Sequence, residues 1–123
     1  MERIVRAIRG ATTVSENTVE DIEDAVTELL DILEDKNDLD ISDIINVTFS
    51  VTKDIDAIFP AAIARRRPHW EAVPLLDVQH MAVQGSLERC IRIMLTLNVL
   101  ASAPPVHHIY LRGAKELRPD LDV

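Results

Sequence analysis

Arginine is the residue type in this sequence that is best suited to chemistry. Ten of the thirteen basic residues are arginines, grouped at 3–9, 65–67, 89–92 and 112–118, although the net charge is −8. A planar guanidinium pairs with a carboxylate through two parallel hydrogen bonds. The grouping therefore predicts a local site for a small carboxylate ligand, with solvated surface arginines as the alternative.

Arg92 stands out because it lies inside an apolar run, Gly85–Val99. Apolar residues occupy alternate positions there: Ile91, Ile93, Leu95, Leu97 and Val99. This period predicts a strand with one apolar face. A helix is the alternative, because Leu87, Ile91, Met94 and Leu95 are also at helical spacing. An arginine in such a run needs a partner, so we expect either an ion pair with a nearby acid or an anion site on the floor of a pocket.

Other kinds of chemistry find no support in the sequence. Nucleophile–base motifs, phosphate-binding loops and zinc-type Cys/His sets are lacking, so we expect neither a metal nor a cofactor. The negative charge argues against nucleic acid as a partner. No apolar run approaches the ~20 residues of a membrane span. With one cysteine, Cys90, and no export signal, we expect a cytoplasmic protein without an internal disulfide.

The elements that must position these residues form an α+β pattern in a single domain, 1–123. Strands are predicted at 3–9 with an extended continuation to 14, and at 47–51, 72–77, 85–99 and 107–111. Helices are predicted from the Thr18 cap to Lys36, with one apolar stripe at spacings of three and four, and from Pro60 to Arg67, with a short helical turn at 113–117. Pro74 marks the third strand as an edge. The high apolar content predicts an oligomer that buries further surface.

Six segments together resemble the trimeric chorismate mutase family. They are IRGATTV at 8–14, FPAAIAR at 59–65, VPLLD at 73–77, GSLERCIRIM at 85–94, HHIYLRGA at 107–114 and LRPDL at 117–121. They follow the family's order and spacing over nearly the whole chain. The resemblance implies a mixed sheet of about five strands at the centre of a homotrimer, with two main helices outside and the active sites between subunits.

The resemblance also implies an activity, the Claisen rearrangement of the dianion chorismate to prephenate. On one subunit it places Arg9, Arg92 and Tyr110 in the pocket, with Leu75, Leu76 and Asp77 nearby. Phe59, Ala61 and Arg65 would also line the pocket, with Phe59 and Arg65 coming from across the interface. Leu117 and Arg118 would belong to a mobile C-terminal lid, 113–123. The catalytic residues would be Arg92, Arg9 and Asp77, and Arg92 would stabilise negative charge on the breaking ether oxygen.

The chain departs from the family's pattern at three positions. His80 stands where the family has a glutamate that binds the substrate's ring hydroxyl, Ala62 where it often has lysine, and Asp77 where it commonly has Cys or Ser. We expect Asp77 to replace the missing glutamate and His80 to point away or lie at the rim. That requires a bend after Asp77, because residues three apart on a straight strand face opposite sides. A non-catalytic trimeric protein that binds an aromatic-pathway acid is the alternative function.

Overall fold

The computed structural model describes residues 1–120 as a five-stranded mixed sheet with both α-helices on one face. The strands are β1 (Arg3–Thr13), β2 (Ile44–Val51), β3 (Leu75–Gln79), β4 (Cys90–Leu100) and β5 (Ile109–Tyr110). The α-helices are α1 (Val19–Lys36) and α2 (Pro60–Arg65), and short 3-10 helices span Ile41–Asp43 and Arg112–Leu117. The α+β fold predicted from the sequence is confirmed.

The sheet order is β3-β2-β4-β1-β5. β4 is central and runs antiparallel to both β1 and β2, whereas β3 and β5 pair in parallel with β2 and β1. β3 is therefore an edge strand, as Pro74 predicted. The backbone N–H of Val47 donates to the Pro74 carbonyl at 2.9 Å, so the proline takes part in the pairing as an acceptor only, since it has no N–H to donate.

Helix α1 carries the apolar stripe predicted for it. Its buried residues are Ile22, Ala25, Val26, Leu29, Leu30 and Leu33. They join Ile8, Phe49 and Leu95 from the sheet in one core. At the start of the helix, the backbone N–H of Asp21 donates to the Thr18 hydroxyl at 3.1 Å, which satisfies one of the free donors of the first turn.

The other side of the sheet, which we call the bare face, carries neither α-helix, and of the helices described only the 3-10 helix Arg112–Leu117 covers one corner of it, against Ala11, Cys90 and Tyr110. Large apolar side chains lie exposed on it, including Val5 at 64%, Leu76 at 59% and Met94 at 42%. Along β4, exposed or half-buried side chains on this face alternate with buried ones on the helix face. The strand prediction for this segment is confirmed over the helical alternative, and Arg92 lies on the bare face.

Several strand boundaries differ from those predicted: β2 begins at Ile44 and not at 47, β3 spans Leu75–Gln79 and not 72–77, and β4 and β5 are shorter than predicted. β4 begins at Cys90 and not at Gly85, because the chain turns before it: Gly85 and Arg89 have φ angles of 81° and 45°. The Arg89 backbone N–H is held by both carboxylate oxygens of Asp54, at 3.2 and 3.0 Å. β5 is only two residues long. It lies so close to β1 that a Cβ on Gly10 would be 2.8 Å from the Ile109 carbonyl oxygen.

Two further observations concern membrane-spanning helices and clusters of metal-binding side chains within residues 1–120. None of the helices described there is long and apolar enough to cross a membrane. Over the same residues, no three His, Cys, Asp or Glu side chains come together in a way that could hold a metal ion. The last three residues, which include Leu121 and the end of the predicted lid, lie outside the described part.

Candidate active site

The strand register lines up one row of side chains across the bare face. Ser50 of β2 pairs with Arg92 of β4, Arg92 with Ala11 of β1, and Ala11 with Tyr110 of β5. Side chains directly opposite in neighbouring strands share a face and have Cβ atoms about 4.5–5.5 Å apart. Arg92 therefore lies between the Ser50 hydroxyl on one side and Ala11 on the other, with Tyr110 on the far side of Ala11.

Arg92 is exposed and has no acidic partner among residues 1–120. Of the two alternatives left open by the sequence, the ion pair is therefore wrong for the described chain. Beneath the guanidinium lies the buried thiol of Cys90. Burial raises the pKa of that thiol, and the charge of Arg92 opposes the rise in part. The guanidinium is thus free to bind an anion.

Arg9 is the second cation of this face. It pairs in register with Met94, which makes it a diagonal neighbour of Arg92, about 7–8 Å away by strand geometry. Its backbone N–H donates to Nδ1 of His108 at 2.9 Å. Burial lowers the pKa of His108, and the charges of Arg9 and Arg118 lower it further. His108 is therefore neutral near pH 7, and the positive charge of this region resides on the arginines.

Tyr110 is buried and lies beneath the start of the C-terminal segment. The guanidinium carbon of Arg118 is 6.0 Å from the centre of its ring. Arg118 is also held by a two-bonded ion pair with Asp120, at 3.0 and 2.9 Å. Leu117 packs against the same small cluster as Tyr110. Both predicted lid residues are thus docked beside Tyr110 in this structure.

His80 does not point away from Arg92, which was one of the two placements expected for it; the other was a position at the rim, and the side chain is partly exposed. Its backbone N–H donates to the Val51 carbonyl at 3.0 Å, which extends the β3–β2 pairing by one residue. Its Nδ1 lies 2.7 Å from the Ser50 hydroxyl, and Ser50 is the residue opposite Arg92. Burial lowers the pKa of His80, and the Arg92 charge lowers it further. A neutral imidazole therefore stands next to the free guanidinium.

Asp77 lies on the other face of β3. It pairs in register with Phe49 of the core, and its carboxylate accepts a hydrogen bond from the Ala61 N–H at 3.1 Å. Burial raises the pKa of Asp77, although this hydrogen bond and the charge of Arg65 oppose the rise. β3 keeps its register through Gln79, so the bend needed to bring Asp77 and His80 together is absent. Within one chain, Asp77 does not reach the face of Arg92.

A second group of predicted site residues lies around the start of α2. Phe59, 70% exposed, and Asp77 line a cavity of about 550 Å³ with Ile55, Ala57, Ile58, Pro60 and neighbouring residues of β2 and β3. Arg9, Arg92 and Tyr110 are not among the described residues that line it. Ala61 is buried and Leu75 packs against the core, whereas Leu76 is exposed on the bare face. The predicted residues thus form two separate groups in one chain.

Sequence reasoning missed Ser50 as a site residue. Ser50 shares one face of β2 with Thr48 and reads as an ordinary polar strand residue. Only the β2–β4 register places it opposite Arg92. Asp54 was also missed. Burial opposes its ionisation, but hydrogen bonds from the Thr52 hydroxyl and the Arg89 N–H outweigh burial and lower its pKa. Its spacing from Arg89 carries no sequence signal, because the two lie in different turns.

Comparison with known proteins gives consistent matches over nearly the whole chain. The family model described as chorismate mutase type I matches residues 5–121. Chorismate mutase AroH of Thermus thermophilus is 42% identical over 120 residues, which cover 97% of this chain and 98% of the relative. The AroH of Bacillus subtilis is 37% identical over 98% of this chain and 94% of its own length. A solved chorismate mutase from Clostridium thermocellum has a TM-score of 0.81 at 44% identity, and the match covers 90% of this chain and 98% of that one.

Proposed function

The chain belongs to the type I chorismate mutase family, and from this premise we propose that it converts chorismate to prephenate. The observation that carries the proposal is the free guanidinium of Arg92, which lies next to Arg9 and Tyr110. Among the described residues, neither Arg92 nor Arg9 has a carboxylate in ion-pair distance. A small dianion fits such a face, because its carboxylates supply the negative charge that the cations lack.

The reaction needs little from the protein besides position and charge. The rearrangement is concerted and intramolecular, so no proton has to move and no nucleophile is required. The ether C–O bond breaks ahead of C–C formation, which leaves negative charge on the oxygen. A fixed guanidinium aimed at that oxygen stabilises the transition state more than the bound substrate. We assign this role to Arg92, and a lost donor of this kind costs about 2.7–4 kcal/mol.

Arg9 and Tyr110 are proposed to orient the substrate. Each can hydrogen-bond a substrate carboxylate, and together they would favour the compact conformer in which the two ends of the reacting chain approach. Binding the substrate in this conformer removes its conformational freedom before the reaction starts. The bound substrate therefore loses less entropy on reaching the transition state than the free substrate does. Arg118, next to Tyr110, is proposed to help close the pocket once its pair with Asp120 opens.

We further propose that the active protein is a homotrimer in the cytoplasm. Two features support the oligomer. The bare face exposes large apolar side chains such as Val5, Leu76 and Met94, which an interface would bury. The groups around Arg92 and around Phe59 lie apart in one chain, and a neighbouring subunit could bring them together. In that arrangement Phe59 and Arg65, with Asp77 from the same cavity as Phe59, would face the arginines of another chain.

The test is a direct assay of purified protein with chorismate, following the loss of its diene absorbance in the ultraviolet and the appearance of prephenate. We expect saturable turnover with no added metal or cofactor, from a species whose mass by light scattering is that of a trimer. Tight binding of chorismate without turnover would favour the non-catalytic alternative, a binding protein for an aromatic-pathway acid. A stable, active monomer would contradict the site shared between subunits.

A further inference from the structure

The pairing of β1 with β5 departs from a regular parallel ladder at Arg9. The Ala11 carbonyl accepts from the Leu111 N–H at 2.9 Å, so Ala11 and every second residue of β1 turn their backbone groups toward β5. Continued in the same register, the ladder would have the Arg9 N–H donate to the carbonyl of His107. That N–H donates instead to Nδ1 of the next residue, His108, at 2.9 Å.

The His107 carbonyl is not free for Arg9 because helix α1 takes it. Asn37, the residue that ends this helix, donates from its side-chain amide to that carbonyl at 3.0 Å. The amide oxygen of Asn37 accepts from the His107 N–H at 2.7 Å. The two bonds tie the segment before β5 to the helix. The ring of His108 then supplies the acceptor that the backbone no longer offers to Arg9.

This hydrogen bond also fixes the state of the ring. A nitrogen that accepts from an N–H uses a lone pair, so Nδ1 is unprotonated and the ring is neutral with its proton on Nε2. The charged groups that act on His108 are Arg9 from β1 and Arg118, which is paired with Asp120. Burial and the two positive charges lower the pKa of His108, while the end of α1 approaches this segment through the uncharged Asn37. The neutral form is therefore the stable one near pH 7.

We propose that His108 is a positioning residue, which acts through the Arg9 backbone to place the Arg9 guanidinium for a substrate carboxylate. The inference rests on the proposed function, since that function gives Arg9 its ligand. The Arg9 side chain is exposed and forms no ion pair within residues 1–120. Its position is therefore set where it leaves the strand, and His108 holds the strand at that residue.

Protonation of His108 would reverse the contact. Nδ1 would then carry a proton and face the Arg9 N–H as a second donor. A further positive charge would also stand beside Arg9 and Arg118. The strand would have to shift at Arg9 to separate the two donors, so the neutral ring is the form that keeps the guanidinium in place.

The experiment uses two substitutions of similar shape. His108→Asn can place an amide oxygen where Nδ1 lies, whereas His108→Leu has the same branching and no acceptor. We expect His108→Leu to lower kcat/KM for chorismate about ten-fold, mainly through a higher KM, because Arg9 contacts the carboxylate before and during the reaction. His108→Asn should stay within about two-fold of wild type. His107→Leu is the matched control, since the side chain of His107 is exposed and its described hydrogen bonds are made by its backbone.

A second measurement tests whether the effect passes through Arg9. In an Arg9→Lys background the flexible lysine depends less on the position of the strand, so adding His108→Leu should cost less than about three-fold. Hydrogen exchange of the Arg9 amide follows the contact directly. It should be faster in His108→Leu than in wild type, and slower again in His108→Asn.

The pH profile gives a readout that shape alone would not produce. An NMR titration of wild type gives the pKa of the His108 ring, and kcat/KM for chorismate should fall as the pH drops through that value. His108→Asn keeps its acceptor at every pH and should lack this fall. A change common to both proteins belongs to other groups, such as His80. If His108→Leu does not fold, the comparison of these two profiles decides.

Four outcomes would overturn the inference while leaving the proposed function intact. In the first, His108→Leu is as active as wild type. In the second, His108→Leu and His108→Asn are impaired equally, so the ring serves packing and not acceptance. In the third, the cost of His108→Leu is undiminished in the Arg9→Lys background. In the fourth, the pH profiles of wild type and His108→Asn coincide. A wild type that binds chorismate without turnover contradicts the proposed function alone, and calorimetry of chorismate binding to the same variants then measures the contact.

Discussion

Two sets of arginines in this protein differ in the acids around them. Near helix α1, arginines are paired: Arg66 with Glu23 at 3.1 Å, Arg67 with Asp31 at 2.8 Å and with Glu34, and Arg112 with Glu28 at 3.1 Å. Within residues 1–120, Arg9 and Arg92 on the bare face have no such partner. Residue type alone therefore does not make a site.

The difference follows from where the acidic residues lie. Helix α1 carries a dense run of Asp and Glu on the surface that its apolar stripe leaves outside, and any arginine nearby is neutralised. None of these acidic residues of α1 lies on the bare face. The overall charge of −8 therefore coexists with a locally positive surface around Arg9 and Arg92. An acidic protein can bind a dianion because its densest run of acids, on helix α1, lies on the opposite side of the sheet from Arg9 and Arg92.

The largest expected effect concerns a free arginine. Arg92→Lys keeps the charge but loses the planar fork, so we expect kcat for chorismate to fall by about 10²–10³-fold. The melting temperature and the oligomeric state should not change, because Arg92 makes no ion pair among the described residues. Normal turnover combined with a lower melting temperature would mean that Arg92 belongs with the structural arginines.

The converse test removes a paired arginine. Arg67 is only 17% exposed and contacts two carboxylates of α1. We expect Arg67→Met to lower the free energy of unfolding by about 1.5–3 kcal/mol, the range for hydrogen bonds to charged groups, with kcat/KM unchanged. The matched control is Arg66→Met, whose pair is exposed at 62% and 39% and should contribute about 0–1 kcal/mol. Urea unfolding of the two variants measures the difference.

A third variant moves acid to the bare face. Met94 pairs in register with Arg9, so Met94→Glu would give Arg9 the partner that helix-side arginines have. We expect KM for chorismate to rise about five- to ten-fold, in line with an exposed or half-exposed ion pair that the substrate must displace. Met94→Gln has the same shape without charge and controls for changes at the interface. Equal KM values for the two variants would argue against Arg9 as a carboxylate-binding residue.

The smallest effect concerns stability in acid. The folded-state pKa values of His80 and His108 lie below 6.5, so the unfolded chain takes up protons first as the pH falls. The free energy of unfolding should therefore be highest above about pH 6.5 and decline as the pH drops toward the folded-state pKa values. His108→Gln should flatten part of this decline. An unchanged slope would mean that the positive charge of Arg9 and Arg118 is not felt at His108.

Much of the fold could be predicted from local patterns. The alternation around Arg92, the stripe of α1 and the positions of Pro60 and Pro74 each have a local physical cause, and these predictions are confirmed. The turn at 85–89 was assigned to a strand because its cause is distant: the Asp54 carboxylate holds the Arg89 N–H. Local sequence does not record a hydrogen bond to another turn.

The site was predicted less well than the fold, for a related reason. Arg92, Arg9 and Tyr110 were found as a set through the resemblance, and register places them together. Asp77 was expected to replace the glutamate that the family has at position 80, which requires a bend after Asp77, but β3 is straight and its alternation puts positions 77 and 80 on opposite faces. Predicting this required knowing that β3 continues in register to the residue before His80. That Asp77 faces the arginines of a neighbouring subunit remains a prediction.

The β1–β4 ladder has a consequence for how the protein is made. It pairs Arg3 with Leu100 and Thr13 with Cys90, so the two central strands come from opposite ends of the chain. Contacts so distant in sequence form late, since a long loop must close before they stabilise anything. During synthesis on the ribosome, β1 and α1 are complete well before β4, the strand with which β1 pairs. We expect the row that contains Arg92 to be assembled only after synthesis of nearly the whole chain.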